Sequence, residues 1–346
     1  MNSLRFTLHL FVFIFFISAC KSDKHHFVEP AFYYWKTSFK LNQSETQALQ
    51  SLNAKHLYIR FFDVDWDEAR KKPVPVSPTT FNQSIPAAVA VIPVVFITNK
   101  TLLKVDSAGV EELAFNIMHF VQKQCELQTI QPAEIQIDCD WTKQTMFRYF
   151  QLLRKIKQHP FLRAKKLSAT IRMHQVKYQE ITGIPPVDKG LLMCYNMGDL
   201  KKYGDHNSIL DLQAIEDFLA RLNHYPLKLD VALPLFSWSV LFRNELFAGL
   251  MRGFKNADFR NKKYFEKHGE RLYKVLYDVN LNGYSLKKGE VVRDENYAAN
   301  DVIDAAQFCS RRLNSDSVRV ILFHLDSSIL KNYHTNELEK IYHSFR

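Results

Sequence analysis

The chain has 346 residues, a formal net charge of +10 from 46 Lys and Arg against 36 Asp and Glu, and 47% apolar with 13% aromatic content. So much apolar and aromatic side chain excludes an intrinsically disordered protein and is enough for one large buried core. The positive charge is spread along the chain with no basic arm. That suits solubility and weak attraction to anionic lipid or glycan, and no nucleic-acid partner is expected.

The first twenty residues set the compartment. Met1 to Thr7 carries one cation, Arg5, and no acid, and Leu8 to Ile17 is apolar except for His9. That run is too short to cross a bilayer core of ~30 Å as a helix, and it has the length of a signal-peptide apolar region. It ends in Ile17-Ser18-Ala19-Cys20, which resembles a bacterial lipobox: an aliphatic residue, two small ones, then the cysteine whose thiol takes the lipid. Residues 1–19 are thus read as a lipoprotein signal peptide, Cys20 as the lipidation site and residues 20–30 as a lipidated tether. The expected location is the bacterial cell envelope, with the membrane a partner through the lipid anchor. Cys125, Cys139, Cys194 and Cys309 form no C-x-x-C and no zinc-ligand pattern. Buried free thiols are expected, with no metal and no cofactor.

From residue 31 to 346, short apolar runs alternate with segments of helical period. Strands are predicted at Phe32–Lys36, His56–Phe62, Ala88–Ile97, Glu134–Asp140, Leu167–His174, Gly190–Asn196, Leu227–Phe236 and Ser317–Leu325. Helices are predicted near Glu45–Leu52, Ala108–Cys125, Thr145–Lys157, Leu210–Leu222, Val302–Leu313 and Asn336–Ser344. Strands that alternate with helices make a parallel sheet, and eight of them predict an α/β fold, a closed (β/α)8 TIM barrel. A doubly wound open sheet is the alternative, disfavoured because no G-x-G-x-x-G follows the first strand. Residues from about 239 to 297 exceed an ordinary connection after the seventh strand. They predict a small helix-plus-hairpin insertion, with Val275–Val279 and Tyr284–Leu286 paired across Asn282-Gly283.

Alternation sorts the side chains of each strand. In the fourth, Ile135, Ile137 and Cys139 share the outer face, while Gln136, Asp138 and Asp140 point inward. Ser168, Thr170, Arg172 and His174 point inward from the fifth. Asp230, Ala232, Pro234, Phe236 and then Trp238 do so from the seventh. His324 and Asp326 share one face of the eighth, Tyr195 and Asn196 end the sixth, and Asp63 and Asp65 follow the second. A polar, aromatic-walled cup is expected at the C-terminal strand ends, where TIM-barrel active sites lie. Asp138 and Asp140 are the candidate catalytic carboxylates. Crowding should drive their pKa values apart. Asp63, Arg172, His174, Tyr195, Asn196 and Trp238 are the candidate substrate-binding residues. A satisfied Asp–Arg network without chemistry is the competing explanation of the same residues.

At the fourth strand the sequence resembles the family 18 glycoside hydrolases, the chitinase-like barrels, whose motif there is D-x-x-D-x-D-x-E. The matching stretch is Ile135-Gln136-Ile137-Asp138-Cys139-Asp140-Trp141-Thr142, and Met193-Cys194-Tyr195-Asn196 is similar to their sixth-strand M-x-Y-D. Isoleucine replaces the first Asp and threonine replaces the acid. A threonine hydroxyl cannot serve as a general acid near neutral pH. The chain is also similar to exported barrel proteins with a D-x-D-x-[ST] fourth strand. The resemblance implies a lipid-anchored glycoside hydrolase-like barrel acting on a glycan, or another small-molecule ligand, at the envelope. A second carboxyl would come from Asp63, Asp65 or Asp326, with Trp141 and Trp238 stacking on the sugar. The alternatives are a glycan-binding lipoprotein that no longer hydrolyses and a metal-dependent hydrolase using Asp138, Asp140 and His174.

Overall fold

The computed structural model describes residues 25–346; the expected signal peptide, Cys20 and the first residues of the tether lie outside the described residues. Eight strands carry the architecture: β1 (Phe27–Tyr34), β2 (His56–Asp67), β3 (Ala90–Ile97), β4 (Glu134–Asp138), β5 (Lys166–Arg172), β6 (Lys189–Met193), β7 (Leu229–Pro234) and β8 (Ser317–Phe323). Each pairs in parallel with the next, and β1 pairs with both β2 and β8. That last pairing closes the sheet into the (β/α)8 barrel and excludes the open sheet.

The outer layer includes α1 (Gln43–Ser51), α2 (Ser107–Leu127), α3 (Met146–Lys157), α4 (Leu212–Leu219), α5 (Ala299–Ser310) and α6 (Thr335–His343). Each lays an apolar stripe on the barrel. In α2 the stripe is Val110, Leu113, Ala114, Ile117, Met118, Val121 and Cys125, the 3–4 spacing of one helical face. It meets the outward side chains of the strands, among them Ile135, Ile137, Leu167, Ala169 and Ile171, all fully buried. Between β2 and β3 an antiparallel arm, Lys72–Val76, pairs with the second half of β2, which runs well past its predicted end. All four described cysteines are buried free thiols. Among the described residues no helix is long and apolar enough to cross a membrane.

Three boundaries differ from the sequence reading. The barrel begins inside the expected tether: His26 is buried, with its ring nitrogens on the Ser310 and Ser315 carbonyls, and Phe27 to Pro30 already pair with β8. An exposed-looking stretch rich in His and Lys hid a strand whose partner lies almost three hundred residues away. Strands β4 and β5 end early, so Asp140 lies past β4 and His174 sits on a short helix, Met173–Lys177. The insertion is mainly sheet. Strands Ser239–Arg243, Leu246–Met251, Phe265–Lys267, Leu272–Val275 and Val291–Asp294 form an antiparallel sheet over a core of Met251, Phe254, Phe259, Phe265, Val275, Leu286 and Val292. The Asn282-Gly283 hairpin joins Val279–Leu281 to Tyr284–Leu286, whereas Val275 belongs to the neighbouring sheet.

The N-terminal end of the barrel is filled by charge. Glu134 accepts from Lys189 at 2.9 Å, Arg319 at 3.0 Å and Ser168 at 2.6 Å; Lys189 also pairs with Asp230, and Arg319 reaches Glu29 and the Tyr58 hydroxyl. Burial pushes the Glu134 carboxyl up, but Lys189 and Arg319 outweigh it and hold it below the usual range. Asp230 therefore points inward as alternation predicts, but at the floor, far from the mouth.

Candidate functional site

The mouth is built from strand ends. Asp138 is the last residue of β4 and is buried, with one carboxylate oxygen accepting from the Thr170 hydroxyl at 2.7 Å. Burial first, and the neighbouring Asp140 second, raise its pKa to about 7. Crowding thus shifts Asp138 as expected, although desolvation is the larger cause. Asp140 is half exposed and pairs with the Arg172 Nε at 3.2 Å. Arg172 also donates to the Asn196 carbonyl at 3.0 Å, tying the ends of β4, β5 and β6 together.

On β4 and just after β6 and β8 several buried polar atoms have no partner. The Tyr195 hydroxyl is one, and the Nε2 of Gln136, the Oδ1 of Asn196 and the Nδ1 of His324 are others. The Gln136 carbonyl oxygen accepts from the Tyr33 hydroxyl at 2.5 Å. Burial holds the His324 pKa at about 4, so that ring is neutral at physiological pH. Buried polar groups are nearly always bonded, so orphans at these strand ends mark one half of a candidate binding surface.

Aromatic rings form the other half. Tyr33 and Trp35 from β1 and the loop after it, Phe323 from β8, Tyr195 after β6, and Phe236 and Trp238 after β7 make an unbroken chain. Successive ring centroids are 5.1–5.9 Å apart. Trp35, Phe323, Phe236 and Trp238 are half-buried, so they present ring area to solvent. Glu295, at the end of the insertion, is fully buried between Arg293 at 2.7 Å, the Ser208 hydroxyl at 2.6 Å and the Trp238 indole N–H at 2.5 Å. The insertion thereby fixes the angle of Trp238.

Of the residues singled out from the sequence, Arg172, His174, Tyr195 and Asn196 come together around one small cavity of about 30 Å³, room for little more than a water-sized group. Asp138 and Asp140 adjoin this set through Thr170 and Arg172. Trp238 stands apart from the cavity, joined to Tyr195 through Phe236. Asp63 does not join them: its carboxylate is gripped by Arg60, 2.7 Å to each oxygen. His174 is exposed and on a helix, not inward on a strand. Among the described residues no group of three or more His, Cys, Asp or Glu is arranged to hold a metal ion.

The remaining candidate acids are also committed elsewhere. Asp65 accepts from Thr98 at 2.7 Å, and Asp326 pairs with Lys36 at 2.9 Å. Trp141, expected on a sugar face, is fully buried beneath the barrel wall. Its ring stacks on Tyr149 and its N–H donates to the Thr182 carbonyl at 2.9 Å. Thr142 is exposed, and its hydroxyl lies 3.4 Å from that of Thr145. Sequence reasoning missed Tyr33 and Trp35, although alternation in Phe32–Lys36 already put them on one face, and it turned Gln136 inward without counting it among the site residues. It also missed Glu295, which nothing local to it marks.

This arrangement belongs to a fold class, the (β/α)8 TIM barrel, and the solved structures similar to it include family 18 glycoside hydrolases. The spore cortex-lytic enzyme SleL of Bacillus megaterium is similar in structure, with a TM-score of 0.55 and 13% identity over 93% of this chain and 75% of that one. So are the GH18 chitinase ChiB of Flavobacterium johnsoniae (0.51, 11%, 93% and 94%) and a GH18 chitinase variant of Cycas revoluta in complex with (GlcNAc)4 (0.51, 14%, 92% and 100%). No protein-family profile matches the sequence, and no curated protein is significantly similar to it. At such identities the likeness establishes the fold, and the chemistry has to be argued from the site.

Proposed function

We propose that this protein is a lipid-anchored receptor of the bacterial cell envelope that binds a glycan on the mouth of a hydrolase-type barrel without cleaving it. The observation that carries the reading is a binding surface with threonine, not a carboxyl, at position 142. Four half-buried rings offer stacking area beside Asp138, the free Tyr195 hydroxyl and the Arg172–Asp140 pair. Thr142 stands where a proton donor is needed, and Asp63, Asp65 and Asp326 are held by Arg60, Thr98 and Lys36. Most glycosidase families use two carboxyl groups ~5–9.5 Å apart across the bond; the candidate partners of Asp138, namely Asp140, Asp63, Asp65 and Asp326, are all held by other groups.

The parallel barrel also supports an orientation. β1 starts at Phe27 at the N-terminal end of the barrel, opposite the mouth. A lipid on Cys20 would tether that end, leaving the mouth facing away from the membrane.

A second reading has one observation in its favour. With a pKa near 7, Asp138 is protonated in part at neutral pH and could itself supply the proton. The full chain and its Asp138→Asn and Asp140→Asn variants, tested on a glycan panel for binding and for released reducing ends, separate the two. Binding with no reducing ends is the expected result. Reducing ends that vanish in Asp138→Asn would make it a hydrolase, and no binding to any glycan would remove carbohydrate from the account.

A further inference from the structure

We propose that Cys194 and Cys309 are a disulfide-forming pair, joined when the chain folds in an oxidising compartment. Cys194 follows β6 directly, with its backbone N–H on the Ala232 carbonyl of β7 at 2.9 Å. Cys309 lies in the last turn of α5, which packs on β7. Their sulfurs are 3.4 Å apart and both residues are fully buried, although 115 positions separate them. Cys125 and Cys139 are buried in α2 and just past β4, and among the described residues neither has a sulfur contact.

Two thiols in contact need only small side-chain rotations to reach the ~2.05 Å of a bond. The chemistry is thiol–disulfide exchange with a disulfide-bearing oxidant. One cysteine, as thiolate, attacks a sulfur of that disulfide, forms a mixed disulfide and releases one thiol. The second thiolate attacks the mixed disulfide at the protein sulfur, which makes the Cys194–Cys309 bond and releases the second thiol. The two electrons and two protons end on the oxidant's thiols.

Contact with the Cys309 thiol first, and burial second, disfavour the Cys194 thiolate in the folded state, and both sulfurs are out of reach of an oxidant there, so exchange belongs to folding, before α5 docks. The bond would clamp together the two ends of the segment that carries the inserted sheet, Trp238 and Glu295. Cys194 also adjoins Tyr195, so the clamp fixes one wall of the mouth.

The compartment rests on the envelope reading above, and two arms keep the two claims apart. The full chain is prepared from an exporting bacterial host. Separately, the reduced and denatured full chain is refolded with oxidised and reduced glutathione. Both are denatured in alkylating agent and mapped by mass spectrometry. The expected result in each is a reducible Cys194–Cys309 cross-linked peptide with Cys125 and Cys139 alkylated. A Cys194→Ala variant should lose the cross-link and show Cys309 alkylated. A cross-link in the refolded chain alone would sustain the pair and count against export. Four alkylated cysteines in both preparations, or Cys194 paired elsewhere, would overturn the inference.

Discussion

Asp138 is a carboxyl kept out of water, and its cost to folding is measurable. Its folded pKa of about 7 lies above the ~3.9 of an exposed aspartate, so the stability it contributes is full below pH ~4 and is lost as pH rises through about 7. Asparagine can still accept from Thr170 but carries no charge. Asp138→Asn should therefore raise stability by about 2–4 kcal/mol at pH 8, with the gain shrinking below pH 7 and absent near pH 4. Urea titrations at the three pH values test this, and a gain that does not depend on pH would contradict it. Tyr195 gives the complementary case, because its buried hydroxyl has no partner. Removing an unsatisfied hydroxyl is neutral or favourable by about 1 kcal/mol, so Tyr195→Phe should fold as well as the native chain while binding glycan more weakly. Equal glycan affinity in the two proteins would show that the hydroxyl is not part of the recognition surface.

Among the elements, the inserted hairpin depends on one dipeptide. Asn282 and Gly283 have φ of +50° and +83°, the two left-handed positions of a type I′ turn. A Cβ on Gly283 would meet nothing within 4 Å, so Gly283→Ala tests the backbone alone. It should cost about 1 kcal/mol and speed amide exchange in Val279–Leu286 ahead of the barrel; unchanged exchange there would mean that the hairpin is held from outside. This turn was legible in the sequence because its signal is local. The rest of the insertion was not: its short strands find partners such as Val291–Asp294 far along the chain, and no local period marks them. The end of β5 is similar. Alternation continues through Met173 and His174, but the Gln175 side-chain oxygen accepts from the Arg172 N–H at 2.8 Å and the chain turns into a helix, so His174 reaches the rim of the cavity from a helix and not from a strand.

Across the whole molecule, the two ends of the barrel do different work. The floor is a buried ion network, in which Glu134 serves both Lys189 and Arg319. Glu134→Ala removes the carboxylate that Lys189 and Arg319 share but leaves them Asp230 and Glu29, so it should destabilise by less than the ~3–5 kcal/mol of a pair broken outright, with glycan binding at the opposite end unchanged below the unfolding transition. Lost affinity in the still-folded variant would show that the two ends are coupled. The mouth is the less satisfied end, with orphaned polar atoms and rings open to solvent. That polarity supports the proposal of a binding surface at the C-terminal strand ends.

By itself, the sequence determined the eightfold alternation, the inward carboxylates of β4, the apolar faces of the helices and the threonine where an acid is needed. All of these follow from local period and side-chain type, which a linear chain displays directly. Only the tertiary structure decided that the barrel closes through β1 and β8, that Trp141 is core while Trp35 is wall, and which candidate acids are already paired. It also decided that Glu295 sets Trp238 and that two distant thiols touch. Each of these depends on which distant residues meet, and contacts across a closed barrel leave no periodic trace in the chain that forms them.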